Sequence, residues 1–317
     1  MRAVVTGATG FVGRRLCAAV TGDGAGDSPA VLSRSVEGAR RALGGAVSAY
    51  AWEPEAGPPP LAVFRTADGR PVDAVFHLAG EAVAVGRWTD AKRARIRDSR
   101  VAGTRHLVAA LEQLAARPRV LVCASAVGFY GSRGDEILDE NAPPGDDFLA
   151  TVCRDWEAEA GRARALGVRV VTVRIGVVLG EDGGAISRMR LPFRLGLGGR
   201  LGSGAQWMPW IHVDDVVGLL VHAATEESLD GPLNAVGPTP VTNRDFTRAL
   251  GAALHRPTIF PIPGVALRLA FGDLAGVLLA SQRVMPVAAQ RTGYHFHYPT
   301  LEGAIAASLD RAAAPTK

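Results

Sequence analysis

Thr6-Gly7-Ala8-Thr9-Gly10-Phe11-Val12-Gly13 stands between a short apolar run at residues 2–6 and a helix-spaced apolar pattern at residues 11–20. Three glycines at GxxGxxG spacing in a strand–turn–helix setting answer three steric demands. The first lets the chain turn tightly, the second lets backbone approach a pyrophosphate, and the third lets the helix pack on the strand. The amino end of the helix then offers N–H groups and the positive end of its dipole to phosphates. Gly7, Thr9, Gly10, Phe11, Val12 and Gly13 are therefore the first candidate cofactor-binding residues.

Outward from this turn, strand-like and helix-like segments alternate. Strands are predicted at residues 30–33, 47–52, 73–78, 120–124 and 168–178, with helices at 89–116 and 148–165. Residues 53–70, with Pro58-Pro59-Pro60, read as a loop-rich insertion. The alternation implies βαβ units: an α/β fold with a doubly wound parallel sheet of the Rossmann type and a smaller C-terminal substrate domain. Residues 1–178 form the expected NADP-binding domain, 211–240 return to it, and 179–317 are mainly substrate-binding. Gly and Pro crowd residues 183–209, which read as a long loop over a site. A helix follows at 213–225, a returning strand at 232–236, and a helix at 242–255 with Thr242 and Asp245 placed as a capping box. His295 and His297 alternate around Phe296 and share one face of an expected strand, without a third ligand at metal spacing.

About 20 residues past the glycines, a carboxylate is the usual partner of the ribose 2′-hydroxyl of NAD. Here the second strand ends Leu32-Ser33-Arg34-Ser35. A cation flanked by hydroxyls suits a 2′-phosphate, so Ser33 and Arg34 point to NADP(H) as the cofactor.

Composition narrows the classes further. With 317 residues, 48% hydrophobic and 21% charged, the chain is an ordinary globular one with a substantial core. No apolar run reaches membrane-spanning length; the greasiest stretch, 262–280, is broken by Arg268 and Asp273. The net charge of +4 is mild and dispersed, which argues against nucleic acid as a partner. Cys17, Cys123 and Cys153 show no metal spacing, no metal is expected, and no apolar leader precedes residue 2, so the expected location is the cytoplasm. The expected partners are a small-molecule substrate and, as a permitted assembly, a second copy of the chain.

Across essentially its whole length the sequence resembles the extended short-chain dehydrogenase/reductases, the sugar-nucleotide epimerase-like group. The resemblance rests on the GxxGxxG turn, His77-Leu78-Ala79-Gly80, residues 125–131, and Trp210-Ile211-His212-Val213-Asp214-Asp215. More narrowly it is similar to the SulA-type "epimerase family protein" subgroup, through Leu78-Ala79-Gly80-Glu81, Ser99-Arg100, Asp155-Trp156-Glu157, Leu191-Pro192-Phe193-Arg194 with the glycines after it, and Pro209-Trp210-Ile211-His212. The resemblance implies that Leu78, Ala79 and Gly80 lie along the adenosine–ribose side and that Arg100 lies near the cofactor phosphates. It also implies cofactor contacts at Ser125 and Ile175. Arg100 stands where an Asn is common in the wider group.

One feature of that group is missing. Its proton-transferring Tyr normally sits four residues before a Lys on a helix, and the Lys lowers the phenol pKa and holds the cofactor ribose. Leu149 and Cys153 occupy those places here. Of 35 basic residues only Lys92 and Lys317 are lysine, and none of the 4 tyrosines precedes a lysine by four. The motif is absent everywhere, not displaced. Ser125, Glu81 and His212 are the substitute acid–base candidates, with His212 also placed to begin a helix. Tyr130 reads as a packed aromatic. Two functions stay open: an NADP(H)-dependent oxidoreductase or epimerase-like enzyme on a small or nucleotide-linked carbonyl/hydroxyl substrate, and a catalytically inactive NADP(H)-binding sensor or regulatory protein.

Overall fold

The structure is a computed structural model that describes residues 1–21, 28–44, 47–65 and 69–309. Part of the expected 53–70 loop, residues 66–68, lies outside the described residues.

Seven strands form one parallel sheet: β1 (Ala3–Thr6), β2 (Ala30–Ser33), β3 (Ser48–Ala51), β4 (Ala74–His77), β5 (Val120–Ala126), β6 (Arg169–Ile175) and β7 (Gly231–Ala235). Their spatial order is β7-β6-β5-β4-β1-β2-β3. From β1 the chain winds outward to β3, then returns to place β4 on the other side of β1. The order therefore reverses between β1 and β4, and ligands of open α/β sheets bind at the carboxyl ends of strands at such a switch point. Pairing is in register along both neighbours of β1, with Thr6 opposite Leu32 on one side and His77 on the other.

Helices cover both faces. On one face α1 (Phe11–Thr21) and α6 (Val213–Thr225) pack on Val5, Phe76, Val122 and Val171. On the other, α3 (Asp90–Glu112) and α4 (Phe148–Gly161) bury Leu107, Leu111, Trp156 and Ala160 against Val4, Val75 and Leu121. Between α1 and α3 lies α2 (Val36–Leu43), and α5 (Gly184–Arg194) precedes α6. A separate core of Leu179, Ile186, Phe193, Trp210, Phe246, Leu250 and Ile305 joins α5 to α7 (Asn243–Ala253) and the last helix, Leu301–Leu309. The apolar hairpin α8 (Gly264–Phe271) and α9 (Leu274–Leu279) lies beyond α7. Among the described residues no helix is long and apolar enough to cross a membrane.

Local chemistry explains where the sequence reading was right and where it failed. Thr89 caps α3 by accepting from the Lys92 amide, so the predicted helix begins where its cap dictates. The capping box of Thr242 and Asp245 is present. The strand expected over 168–178 breaks at Gly176, where the Pro209 carbonyl comes so close that a Cβ would stand 2.4 Å from it. Residues 177–179 pair instead with 210–212 in a small sheet of their own. The expected loop 183–209 holds a helix, α5, which tolerates Pro192 and buries Ile186 and Phe193; the glycines on either side of it suggested a loop. His295 and His297 belong to no strand. Asp215, fully buried, takes the His297 and Tyr298 amides and the Tyr294 hydroxyl, so a carboxylate supplies the backbone partners that a neighbouring strand would have given.

Candidate active site

The turn at the end of β1 is jammed on both sides. Gly7 has φ +67°, and a Cβ on it would stand 2.7 Å from the Leu78 carbonyl group. A Cβ on Gly13 would stand 2.2 Å from the Gly7 carbonyl oxygen, so strand turn and helix meet backbone to backbone. Gly10 has more room, 3.2 Å to the same oxygen, and is exposed with Thr9 at the outer side of the turn. The first-turn N–H groups of α1 have no partner within the helix. Phe11 faces the chain beyond 177–179: Cβ atoms on Gly180 and Gly183 would each lie 2.6 Å from its ring. Val12 packs partly buried against the sheet.

Side chains lock this turn to β4. The Thr6 hydroxyl oxygen accepts from the Leu78 and Ala79 amides at 3.1 and 3.0 Å. Both lone pairs are then used, so its proton goes to Nδ1 of His77, 2.8 Å away. His77 accordingly carries its proton on Nε2 and donates to Thr104 of α3 at 3.0 Å. Full burial pushes the His77 pKa down to about 4, so the ring is neutral. The sequence reading used His77 only as a family mark and missed this strut; a histidine flanked by apolar residues gives no signal of its partners.

Arg34 lies exposed just past β2, with no side-chain hydrogen bond or ion pair among the described residues. The hydroxyls beside it are already engaged. Ser33 Oγ donates to the Ser35 carbonyl and accepts its amide, and Ser35 caps α2. They shape the turn that presents Arg34, and Arg34 alone carries the charge.

Beyond β4, the Arg100 guanidinium lies close over Gly80, its carbon 3.1 Å from where a Cβ would stand. Arg100 donates to the carbonyls of Glu81 and Ile96 at 3.0 and 3.1 Å and lies over Trp156. Its hydrogen bonds go to backbone carbonyls of this turn and of α3. Burial lowers its pKa.

The three acid–base candidates occur in three different places. Glu81 accepts from Lys92 Nζ at 2.6 Å, and Lys92 is buried. That hydrogen bond holds the Glu81 carboxyl below the usual range, so near neutral pH it has no proton to give. His212 is buried as the N-cap of α6: Nδ1 accepts the Asp214 amide at 3.3 Å, and the ring lies 4.0 Å from Tyr298. Burial lowers its pKa, which keeps the accepting lone pair available. Ser125, also buried, donates to Glu157 Oε1 at 2.6 Å.

Ser125 opens onto a network that the sequence reading did not assemble. Arg174 of β6, opposite Ser125 in register, grips Glu157 with both Nε (2.9 Å) and Nη2 (2.8 Å). Arg174 also donates to the Tyr130 hydroxyl, which donates to Asn234 of β7 at 2.7 Å. The Arg174 guanidinium carbon lies 3.5 Å from the centre of the Phe129 ring. In the sequence Glu157 stands out only as a family mark, and Arg174 does not stand out. A lone arginine inside a β-branched strand was the available signal, because a charge there needs a buried partner. Half-buried Ile175 ends that strand.

At the positions of the missing catalytic pair, Leu149 packs against Gly128, 3.4 Å from its would-be Cβ, and Cys153 is buried beside Ser125 and Arg100. Burial pushes the Cys153 thiol up to about 11, so it is protonated and inert at neutral pH. A lysine here would set a second buried cation beside Arg100.

Comparison with known proteins fits this geometry. Residues 3–235 match the NAD dependent epimerase/dehydratase family, and residues 262–308 match a domain of unknown function, DUF1731. An epimerase family protein of Mycobacterium tuberculosis is 44% identical over 82% of this chain and 84% of its own length. The crystal structure of human epimerase family protein SDR39U1 (isoform 2) with NADPH superposes with a TM-score of 0.85 at 35% identity, covering 97% of this chain and 99% of that one. A nucleoside-diphosphate sugar epimerase of Corynebacterium glutamicum is similar at 34% identity and a TM-score of 0.76, covering 98% of this chain but 58% of that one. The match spans the whole sheet, from the glycine turn of β1 to the end of β7, and on that footing the chain belongs to the NAD dependent epimerase/dehydratase family.

Proposed function

We propose that this protein binds NADP(H) across the carboxyl edge of its sheet and acts as an oxidoreductase or epimerase-like enzyme on a small or nucleotide-linked carbonyl/hydroxyl substrate. The observation that carries the reading is the turn at the switch point. Gly7 and Gly13 leave no room for a Cβ on the protein side, while Gly10 and the first-turn amides of α1 face outward, the arrangement a pyrophosphate needs. Arg34 supplies the charge for a 2′-phosphate, and Leu78, Ala79 and Gly80 form the adjoining wall. The human relative crystallised with NADPH supports the same cofactor here.

When bound, the cofactor supplies hydride exchange at its nicotinamide ring. The chain's own residues position and enclose. Ser125 gives its proton to Glu157, Glu81 is held ionised by Lys92, and the accepting nitrogen of His212 is used as a cap. None of the three is poised as a free acid, so this reading exchanges the proton with water. Titration with NADPH and NADH tests the cofactor half: Arg34→Leu should cut the preference for NADPH by roughly 10–100-fold, the size expected for losing a charged hydrogen bond to phosphate. An unchanged preference refutes the assignment. A panel of carbonyl substrates with NADPH tests the catalytic half.

The same three engaged side chains favour the second reading, a sensor that binds NADP(H) and performs no chemistry. Tight NADPH binding, no turnover across the panel, and a change of assembly between oxidised and reduced cofactor would select it.

A further inference from the structure

The surface formed by the end of α5, the segment after it and the α8 region has two properties together. Its apolar side chains protrude: Phe260 and Ile259 are each 76% exposed, Leu269 75%, Leu197 69%, Leu195 65% and Leu191 64%. It is also rich in arginine. Residues 183–213 hold Arg188, Arg190, Arg194 and Arg200 and residues 246–272 hold Arg256 and Arg268 with no Asp or Glu within either stretch; Arg248 pairs with Asp245 at the edge, and Asp273 just past α8 pairs with Arg93.

The two stretches form one surface. Arg256 Nε donates to the Arg194 carbonyl at 2.9 Å, Ile262 N to Arg200 O at 2.8 Å, and Gly202 N to Ile262 O at 2.9 Å. Leu195 and Leu197 therefore run beside Ile259 and Phe260, and α8, which follows in the chain, exposes Leu269. Only Leu267 of α8 is buried. Arginines elsewhere include neutralised ones, as in Arg2–Asp73, Arg105–Glu159 and Arg164–Asp230. Among the described residues Arg188, Arg194, Arg256 and Arg268 pair with no carboxylate; Arg188 and Arg256 reach only backbone carbonyls. A depression of about 220 Å³ lined by Ser187, Arg190, Leu191 and Arg194 adds a buried Arg190 Nε without a partner.

We propose that this face docks on an anionic phospholipid surface, with the exposed leucines, Ile259 and Phe260 entering the headgroup–acyl boundary and the arginines holding lipid phosphates. Apolar tips ringed by uncompensated cations are the composition of an interfacial anchor. A second copy of the chain fits less well, because face-to-face pairing would set arginine against arginine without a carboxylate between them. The docking needs no spanning helix and is independent of the cofactor reading. The face also borders the cofactor edge: Arg188 donates to the Ala84 carbonyl and Arg87 to the Leu269 carbonyl, so the loop after β4 is tied to α5 and α8.

Vesicle flotation of the full chain tests it, with phosphatidylcholine alone and with phosphatidylcholine containing phosphatidylglycerol. Binding should be about 10-fold or more stronger on the anionic vesicles and should fall in high salt, as a few arginines near a charged surface require. Phe260→Glu and Arg194→Glu, both on exposed positions, should each abolish most of it while NADPH affinity stays at the wild-type value, which shows that the variants fold. Equal binding to both vesicles, binding to neither, undiminished binding of both variants, or a dimer that dissociates in Phe260→Glu would each overturn the proposal.

Discussion

The carboxyl ends of β1 and β5 lie two strands apart in one sheet, yet they are built differently. At β1 the geometry is set by backbone. Glycines meet carbonyl groups at distances that exclude any side chain, and Thr6 and His77 fasten the turn to β4. At β5 it is set by side chains satisfying one another: Ser125 to Glu157, Glu157 to Arg174, Arg174 to Tyr130, Tyr130 to Asn234. The first end leaves its outward N–H groups for a ligand. The second has spent its polar groups within the protein. Under the proposed reading, a β1 end with free donors and a β5 end closed on itself would set cofactor binding apart from chemistry.

Breaking the β5 end should have the largest effect. Arg174 and Glu157 side chains are 5% and 14% exposed, so Arg174→Met strands a carboxylate in a poorly solvated place. Loss of one partner of such a pair costs about 3–5 kcal/mol. Urea unfolding of Arg174→Met should fall by that amount, while the folded variant keeps its NADPH affinity within roughly 3-fold, since the binding turn is remote in the network. A variant of unchanged stability would mean that the network serves chemistry and not the fold, and the contrast between the two ends would collapse.

At the β1 end, Gly13→Ala should weaken NADPH binding by roughly 100-fold, because a Cβ placed 2.2 Å from the Gly7 oxygen must push helix from strand and tilt the amides away from the ligand. The same overpacking costs about 1–3 kcal/mol of stability. Fluorescence titration of NADPH checks the first number and thermal unfolding the second. Wild-type affinity in this variant would remove the turn from the cofactor site.

The two ends were also unequally legible. Backbone demands leave a mark in sequence, since only glycine satisfies them, so Gly7 and Gly13 could be found by their spacing within a strand–turn–helix setting. Strand alternation gave the sheet for the same reason. Side-chain networks leave no local mark. Arg174 is 17 residues from Glu157 and 44 from Tyr130, and nothing in their spacing says that they meet. Ser125 is read after a strand, Glu81 just past a strand-end glycine and His212 at the start of a helix; in the structure Ser125 is the penultimate residue of β5, Glu81 lies four residues beyond β4, and His212 caps α6. What each hydroxyl, carboxyl or ring nitrogen is bonded to became visible only in three dimensions. The α5 helix stayed hidden because the glycines around it outweighed its short apolar stripe of Ile186 and Phe193.

A smaller effect separates the ends by pH. His77 has a folded pKa of about 4 against 6.5 for a free side chain, lowered by burial. Below pH 6.5 the unfolded chain takes up a proton that the folded chain refuses until about pH 4. The stability held by the neutral ring is therefore complete above about pH 6.5 and is lost as pH falls from 6.5 to 4. The slope approaches about 1.4 kcal/mol per pH unit. Wild-type unfolding free energies between pH 7.5 and 4.5 should show this slope, and His77→Asn should flatten it by about one proton. An equal slope in both would place the acid sensitivity elsewhere.

Gly10→Ala makes the finest test, because it tells the cradle's own needs from the ligand's. Gly10 does not require positive φ, and a Cβ there meets only the Gly7 oxygen at 3.2 Å, a contact that a shift of a few tenths of an ångström relieves. Protein packing thus gives little reason for glycine at this position, and stability should change by no more than about 0.5 kcal/mol, as at other exposed sites. The reason has to come from outside the chain. If a pyrophosphate lies against the turn, the added methyl group occupies its approach and NADPH affinity should fall by about 10-fold. Near wild-type unfolding with weakened binding would locate the ligand at the outer side of the turn. Wild-type affinity in Gly10→Ala, with affinity lost in Gly13→Ala, would mean instead that the glycines serve only helix packing and that the phosphates bind elsewhere on the edge.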